Sequence, residues 1–118
     1  MQYKINTKEN FDIIVPQMAQ FVSIMAEELI QLCSELQKND KSAIIDFSDV
    51  LSIDNAMVST LINLHTDFYE HNLSCAFCHL NQDLRPLFSA ELNIVPTQIE
   101  AIDLVSMEGL ERELLRDF

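Results

Sequence analysis

The sequence predicts a single α/β domain over residues 1–118, with a mixed, mostly parallel β-sheet that opens with an N-terminal hairpin and packs with about four helices. Three observations carry this expectation. Short apolar or β-branched runs alternate with longer amphipathic stretches along the chain. The run Ala43-Ile44-Ile45-Asp46-Phe47 is apolar at nearly every position, as a strand buried on both faces requires. Two short extended segments precede the first amphipathic stretch, with a polar turn between them. A length of 118 residues suits one core. With 48% hydrophobic and 22% charged residues, the chain has enough carbon surface to offset its ordering entropy.

Residues 2–7 alternate polar and apolar, and residues 11–15 are β-branched and end at Pro16, so two strands are expected around a turn near Glu9-Asn10. Between Met18 and Lys38, Phe21, Val22, Met25, Leu29, Leu32, Cys33 and Leu36 recur every three or four positions opposite Glu27, Glu28, Gln31 and Glu35, the pattern of one long helix. The central strand 43–47 follows the polar break at residues 39–41. A second helix is expected over 54–70, with Met57, Val58, Leu61, Leu64, His65 and Phe68 on its inner side and Asp54 or Asn55 as its cap.

Residues 73–78 read as another buried strand. A short helix is expected over 83–91, capped by Asn81 or Asp83, with Pro86 in its first turn, where a missing amide does no harm. Residues 93–95 form a last short strand. Thr97-Gln98-Ile99-Glu100 fits a capping box and opens a terminal helix that Gly109 is placed to bend or interrupt.

Composition excludes several functions. With 7 Lys plus Arg against 19 Asp plus Glu, the net charge is −12, and such a surface repels nucleic acid and anionic lipid. A single glycine rules out a phosphate-cradling glycine-rich loop. No signal segment or spanning stretch is evident, so a cytoplasmic protein with no membrane insertion is expected. Cys33, Cys75 and Cys78 are an odd number and are expected as reduced thiols.

Two constellations invite chemistry. Asp46, Asp49 and Asp54 leave the central strand and enter a helix, where gathered carboxylates would hold Mg²⁺ for an enzyme; a cap and loop ties are the structural reading. Cys75-Ala76-Phe77-Cys78-His79, with His71 nearby, matches a haem-attachment string or part of a zinc cluster. On a strand, however, residues three apart point to opposite faces, so Cys75 and Cys78 cannot share a metal. They read as small buried hydrophobes, His65 reads as a hydrogen-bonded core histidine, and no cofactor is expected.

Residues 43–57, Ala-Ile-Ile-Asp-Phe-Ser-Asp-Val-Leu-Ser-Ile-Asp-Asn-Ala-Met, resemble the core signature of the STAS domain: a hydrophobic strand, Asp-Leu-Ser-x-Val, then Asp-Ser-Ser-Gly at a helix start. The order of the later elements is also similar. The resemblance implies a STAS-like fold and a non-catalytic protein-binding module of the anti-sigma factor antagonist kind. Its partner in a partner-switching system would be a serine kinase that is also an anti-sigma factor. A transporter ATPase subunit is the alternative partner, if the chain serves ATP-driven lipid transport.

By position, the motif's Asp is Asp54, its first Ser is Asn55, its phosphoacceptor Ser is Ala56 and its Gly is Met57. The usual phosphoacceptor hydroxyl is therefore missing, and Ser59 or Thr60, one turn on, is the nearest substitute. The expected partner-binding surface is Ser52, Asp54, Asn55, Ala56, Met57 and Ser59, with Met57 as an exposed apolar contact.

Overall fold

The computed structural model describes residues 2–116. Its strands are β1 (Tyr3–Thr7), β2 (Phe11–Pro16), β3 (Gln20–Phe21), β4 (Ser42–Asp46), β5 (Ser52–Ile53), β6 (Cys75–Cys78) and β7 (Ile94–Val95). The α-helices are α1 (Ala26–Lys38), α2 (Asn55–Glu70) and α3 (Gln98–Arg116). Five strands form one sheet in the order β1-β2-β4-β6-β7, antiparallel only at the β1–β2 hairpin and parallel elsewhere. The mostly parallel α/β sheet with an N-terminal hairpin is as expected.

Strand alternation sorts the core into two layers. Ala43 and Ile45 of β4 and Cys75 and Phe77 of β6 face α1 and α2, where they pack with Leu29, Cys33, Leu61 and Phe68. Ile44, Ala76 and Cys78 point the other way, onto Ala101 and Val105 of α3. Cys75 and Cys78 thus lie on opposite faces of the sheet, as the strand reading requires. All five residues of β4 are buried. Phe77 sits between Phe47, His65 and Phe88, with ring centroids 5.4, 5.7 and 5.9 Å away.

With one glycine in the chain, the helices end on other residues. Asp40 (φ 55°) and Asn72 (φ 58°) take the left-handed conformation after α1 and α2. Lys41 N–H then reaches Leu36 O at 2.9 Å and Leu73 N–H reaches Phe68 O at 2.8 Å, which satisfies carbonyls the helix ends would otherwise leave open. At the far end of the sheet, Tyr69 of α2 donates to Glu108 of α3 at 2.6 Å, with the side-chain amide of Asn93 hydrogen-bonded to the Tyr69 hydroxyl, so the two layers are clasped past β6. His65 is buried, and its Nε2 accepts from Asn93 N–H at 3.1 Å; burial lowers its pKa, in keeping with a neutral core histidine.

Three local expectations need correction. Residues 18–22 are not helical: Ala19 O accepts from Leu51 and Ser52 N–H at 2.7 and 3.0 Å, and Gln20-Phe21 pairs in parallel with Ser52-Ile53 in a separate two-stranded sheet. Phe21 reaches the core from this short strand, and the helix begins only after a 3-10 turn at Ser23–Met25. Residues 83–91 form a 3-10 turn at Arg85–Leu87 and no α-helix, leaving three α-helices among the described residues. Gly109 does not interrupt α3, which runs unbroken to Arg116.

Truncation of Phe77 to Ala is expected to cost about 3–5 kcal/mol in urea unfolding, the range for a fully buried phenylalanine. Gly109→Ala should stabilise by about 0.5–1 kcal/mol, because the helix loses a flexible residue and an added Cβ meets nothing within 4 Å. A destabilised G109A protein would contradict the continuous helix.

Candidate partner-docking site

The site grows from the end of β4. The chain leaves the buried strand at Asp46, turns through Ser48 and Asp49, and returns as β5 beside β3. Asp54 then caps α2: its Oδ1 accepts from Met57 N–H at 2.8 Å, one of the amides a helix start leaves unpaired. Its Oδ2 accepts from Ser23 N–H at 3.0 Å. One carboxylate therefore fastens the start of α2 to the 3-10 turn before α1. The backbone amides of Ser23 and then Met57 hold the Asp54 carboxyl below its ordinary pKa, since both favour the charged form.

Ser52, Asn55, Ala56 and Ser59 are exposed around this staple and Asp54 is half-buried, so the structure brings five of the six expected residues to one surface. Met57 is the exception. It is 0% exposed and belongs to the core with Val58, Leu61 and Phe68, because the α2 phase fixed by the Asp54 cap turns it inward. The expectation of Met57 as an exposed contact is therefore wrong. Thr60 is half-buried, and its hydroxyl donates to Ala56 O at 3.1 Å; Ser59 is exposed.

Two further residues belong to this edge. Ile24 is 85% exposed and follows Ser23; Leu51 is 64% exposed and precedes Ser52. Both are large, exposed apolar side chains on the segments that the Asp54 bonds and the β3–β5 pairing hold together. Ile24 carries a faint sequence signal, since it falls off the apolar spacing of the 18–38 stretch. Leu51 carries none.

The three aspartates do not gather. Asp46 is buried and Oδ1 accepts from Ser48 N–H at 2.9 Å and lies 3.0 Å from His79 Nδ1, while Gln98 Nε2 donates to Oδ2 at 3.0 Å. Asp54 is committed to Ser23 and Met57, and Asp49 stands exposed in the turn. Among the described residues, the one group of three ligand atoms lying within 4.8 Å of one another is Asp46, Cys78 and His79, so the Asp46, Asp49 and Asp54 Mg²⁺ site is not formed. The three cysteines are free; burial pushes the Cys33 and Cys78 thiols up to about 12 and raises Cys75 as well. No described helix is long and apolar enough to cross a membrane.

No family profile and no curated protein sequence matches the chain. Its fold does match solved structures. It is similar to the anti-sigma factor antagonist SpoIIAA in its unphosphorylated form, with a TM-score of 0.73 at 14% identity over 88% of this chain and 97% of that one. It is also similar to a candidate anti-sigma factor antagonist from Thermotoga maritima, with a TM-score of 0.69 at 17% identity over 88% and 94% of the two chains. A third likeness is to part of the murine anion transporter Slc26a9, with a TM-score of 0.67 at 12% identity over 86% of this chain and 18% of the transporter. The chain therefore has the fold of anti-sigma factor antagonists, the STAS fold that residues 43–57 foretell. The same fold occurs within a membrane transporter.

Because the Asp54 pKa is lowered on folding, its carboxylate stabilises the protein above its ordinary pKa of 3.8, and that contribution disappears as pH falls through the folded value. Asp54→Ala should therefore melt below the wild type at neutral pH, with the gap closing in acid below 3.8. A gap that does not change with pH would contradict the staple.

Proposed function

We propose that this chain is a non-catalytic protein-binding module, an anti-sigma factor antagonist-like element of a partner-switching system that works in the cytoplasm. Its docking surface is Ser52, Asp54, Asn55, Ala56 and Ser59, flanked by Leu51 and Ile24. The observation that carries the reading is the exposure of Ala56 on the capped first turn of α2, beside two solvated apolar side chains. The partner is a serine kinase that is also an anti-sigma factor. A phosphate on this turn would add about −1.5 to −2 charges whose desolvation opposes docking. Alanine cannot accept one, so binding is constitutive unless another residue is modified.

Of the two substitutes, Ser59 is the better acceptor, because its hydroxyl is exposed while that of Thr60 is bonded back to the helix. The acidic interval supports a partner with a cationic rim: no Lys or Arg stands between Lys41 and Arg85, while Asp54 belongs to the surface and Asp49 is exposed in the preceding turn. Such complementarity raises association rate more than final affinity. A second reading, a subunit that contacts a transporter ATPase, draws support from the occurrence of the fold within a transporter chain.

Affinity capture from the native host with wild-type, Leu51→Asp and Ala56→Glu baits, followed by mass spectrometry, separates these readings. A serine kinase captured by the wild type and reduced at least tenfold by both variants is the expected result. A transporter ATPase with the same losses selects the second reading, and partners held equally by all three baits overturn the docking surface. Incubation of the wild type with the captured kinase and ATP should leave residue 56 unmodified. Phosphate on neither Ser59 nor Thr60 would remove the substitute switch.

A further inference from the structure

His79 is the third residue in the left-handed region (φ 56°), and unlike Asp40 and Asn72 it follows a strand instead of a helix. Histidine in this conformation is uncommon and costs backbone energy, so what it achieves is informative. In a regular strand, residues 78 and 79 would point to opposite faces of the sheet. The left-handed residue reverses that: Cys78 Sγ, a ring nitrogen of His79 and a carboxylate oxygen of Asp46 all lie within 4.8 Å of one another.

The third member comes from the neighbouring strand. Asp46 and Cys78 are register partners of the parallel β4–β6 pair and lie on the same face. All three sit at the carboxyl ends of their strands, the edge where α/β sheets most often receive ligands. The carboxylate is held from outside the trio by Gln98 Nε2 at 3.0 Å and by Ser48 N–H at 2.9 Å, as the partners of a metal-binding carboxylate usually hold it. His79 is exposed and borders a shallow surface depression lined also by Ser48, Asn81 and Asp83, whereas Asp46 and Cys78 are buried and do not line it, so His79 is the member of the trio that meets solvent.

We propose that Asp46, Cys78 and His79 form a binding site for a borderline divalent transition metal such as Zn²⁺. One thiolate, one imidazole and one carboxylate suit Zn²⁺ or Co²⁺ and are a poor set for Mg²⁺ or Ca²⁺, which take oxygen donors. Binding replaces the Cys78 thiol proton with the metal and releases that proton to water; the metal stays divalent and no redox partner is needed. The Cys75-x-x-Cys78-His79 string thus supplies its last two residues to the site and leaves Cys75 in the opposite layer.

The test is a Co²⁺ titration of the tag-free chain, read by the sulfur-to-cobalt charge-transfer absorption and the visible bands of low-coordinate Co²⁺, with Zn²⁺ as competitor. A saturable charge-transfer band that Zn²⁺ erases is expected. Cys78→Ser and His79→Ala should each remove the band, and Cys75→Ser should keep it. Gln98→Leu should weaken Co²⁺ about 10–100-fold while keeping the same spectrum, the effect of losing an outer hydrogen bond to a ligand. A wild type that shows no band at millimolar Co²⁺ overturns the proposal, as does a band that survives His79→Ala. His79→Ala also takes one partner from the buried Asp46 carboxylate, so its fold is checked by circular dichroism, and a folded variant remains decisive even if Cys78→Ser does not fold.

Discussion

The structure depends on one strand, β4. It is hydrogen-bonded along both edges, to β2 and to β6, and each of its five residues is buried. A strand in that position must be apolar on both faces, and Ala43, Ile44 and Ile45 meet the requirement by feeding the two core layers alternately. Beside Ser42 at its start, Asp46 at its end is the strand's other buried polar residue. Its burial is tolerated because Ser48, His79 and Gln98 occupy both carboxylate oxygens.

Both candidate sites hang from the end of that strand. The turn after Asp46 crosses to β5, and the Asp54 staple then sets the angle at which α2 starts. Because the same carboxylate also accepts from Ser23 N–H, it ties the turn that carries the exposed Ile24 to the start of α2, two residues from Ala56. The cluster of Asp46, Cys78 and His79 gathers at the ends of β4 and β6 on the face toward α3, so the proposed docking edge and the proposed metal site are separate uses of the end of β4.

Much of the fold is legible in the sequence because it follows from period and capping. The β4 run, the Asp54 cap, the opposite faces of Cys75 and Cys78, and the Thr97 cap of α3 each need only local rules. The β3–β5 ribbon is not legible: two-residue strands carry no period, and Phe21 fits a helical spacing as well as a short extended one. Met57 is misplaced when the family motif, which has a glycine there, is followed; its spacing with Leu61 and Phe68 already puts it in the core. The convergence of Asp46 with His79 depends on the β4–β6 register and on a single left-handed residue, and neither is written in local pattern.

Docking of a partner at the Ala56 edge is tested most directly by hydrogen exchange on the chain alone and in complex with its captured partner. Slowed exchange is predicted in peptides covering residues 19–26 and 50–60, with the β1–β2 hairpin unchanged. Slowing confined to the hairpin, or to the second half of α3, would contradict docking at that edge.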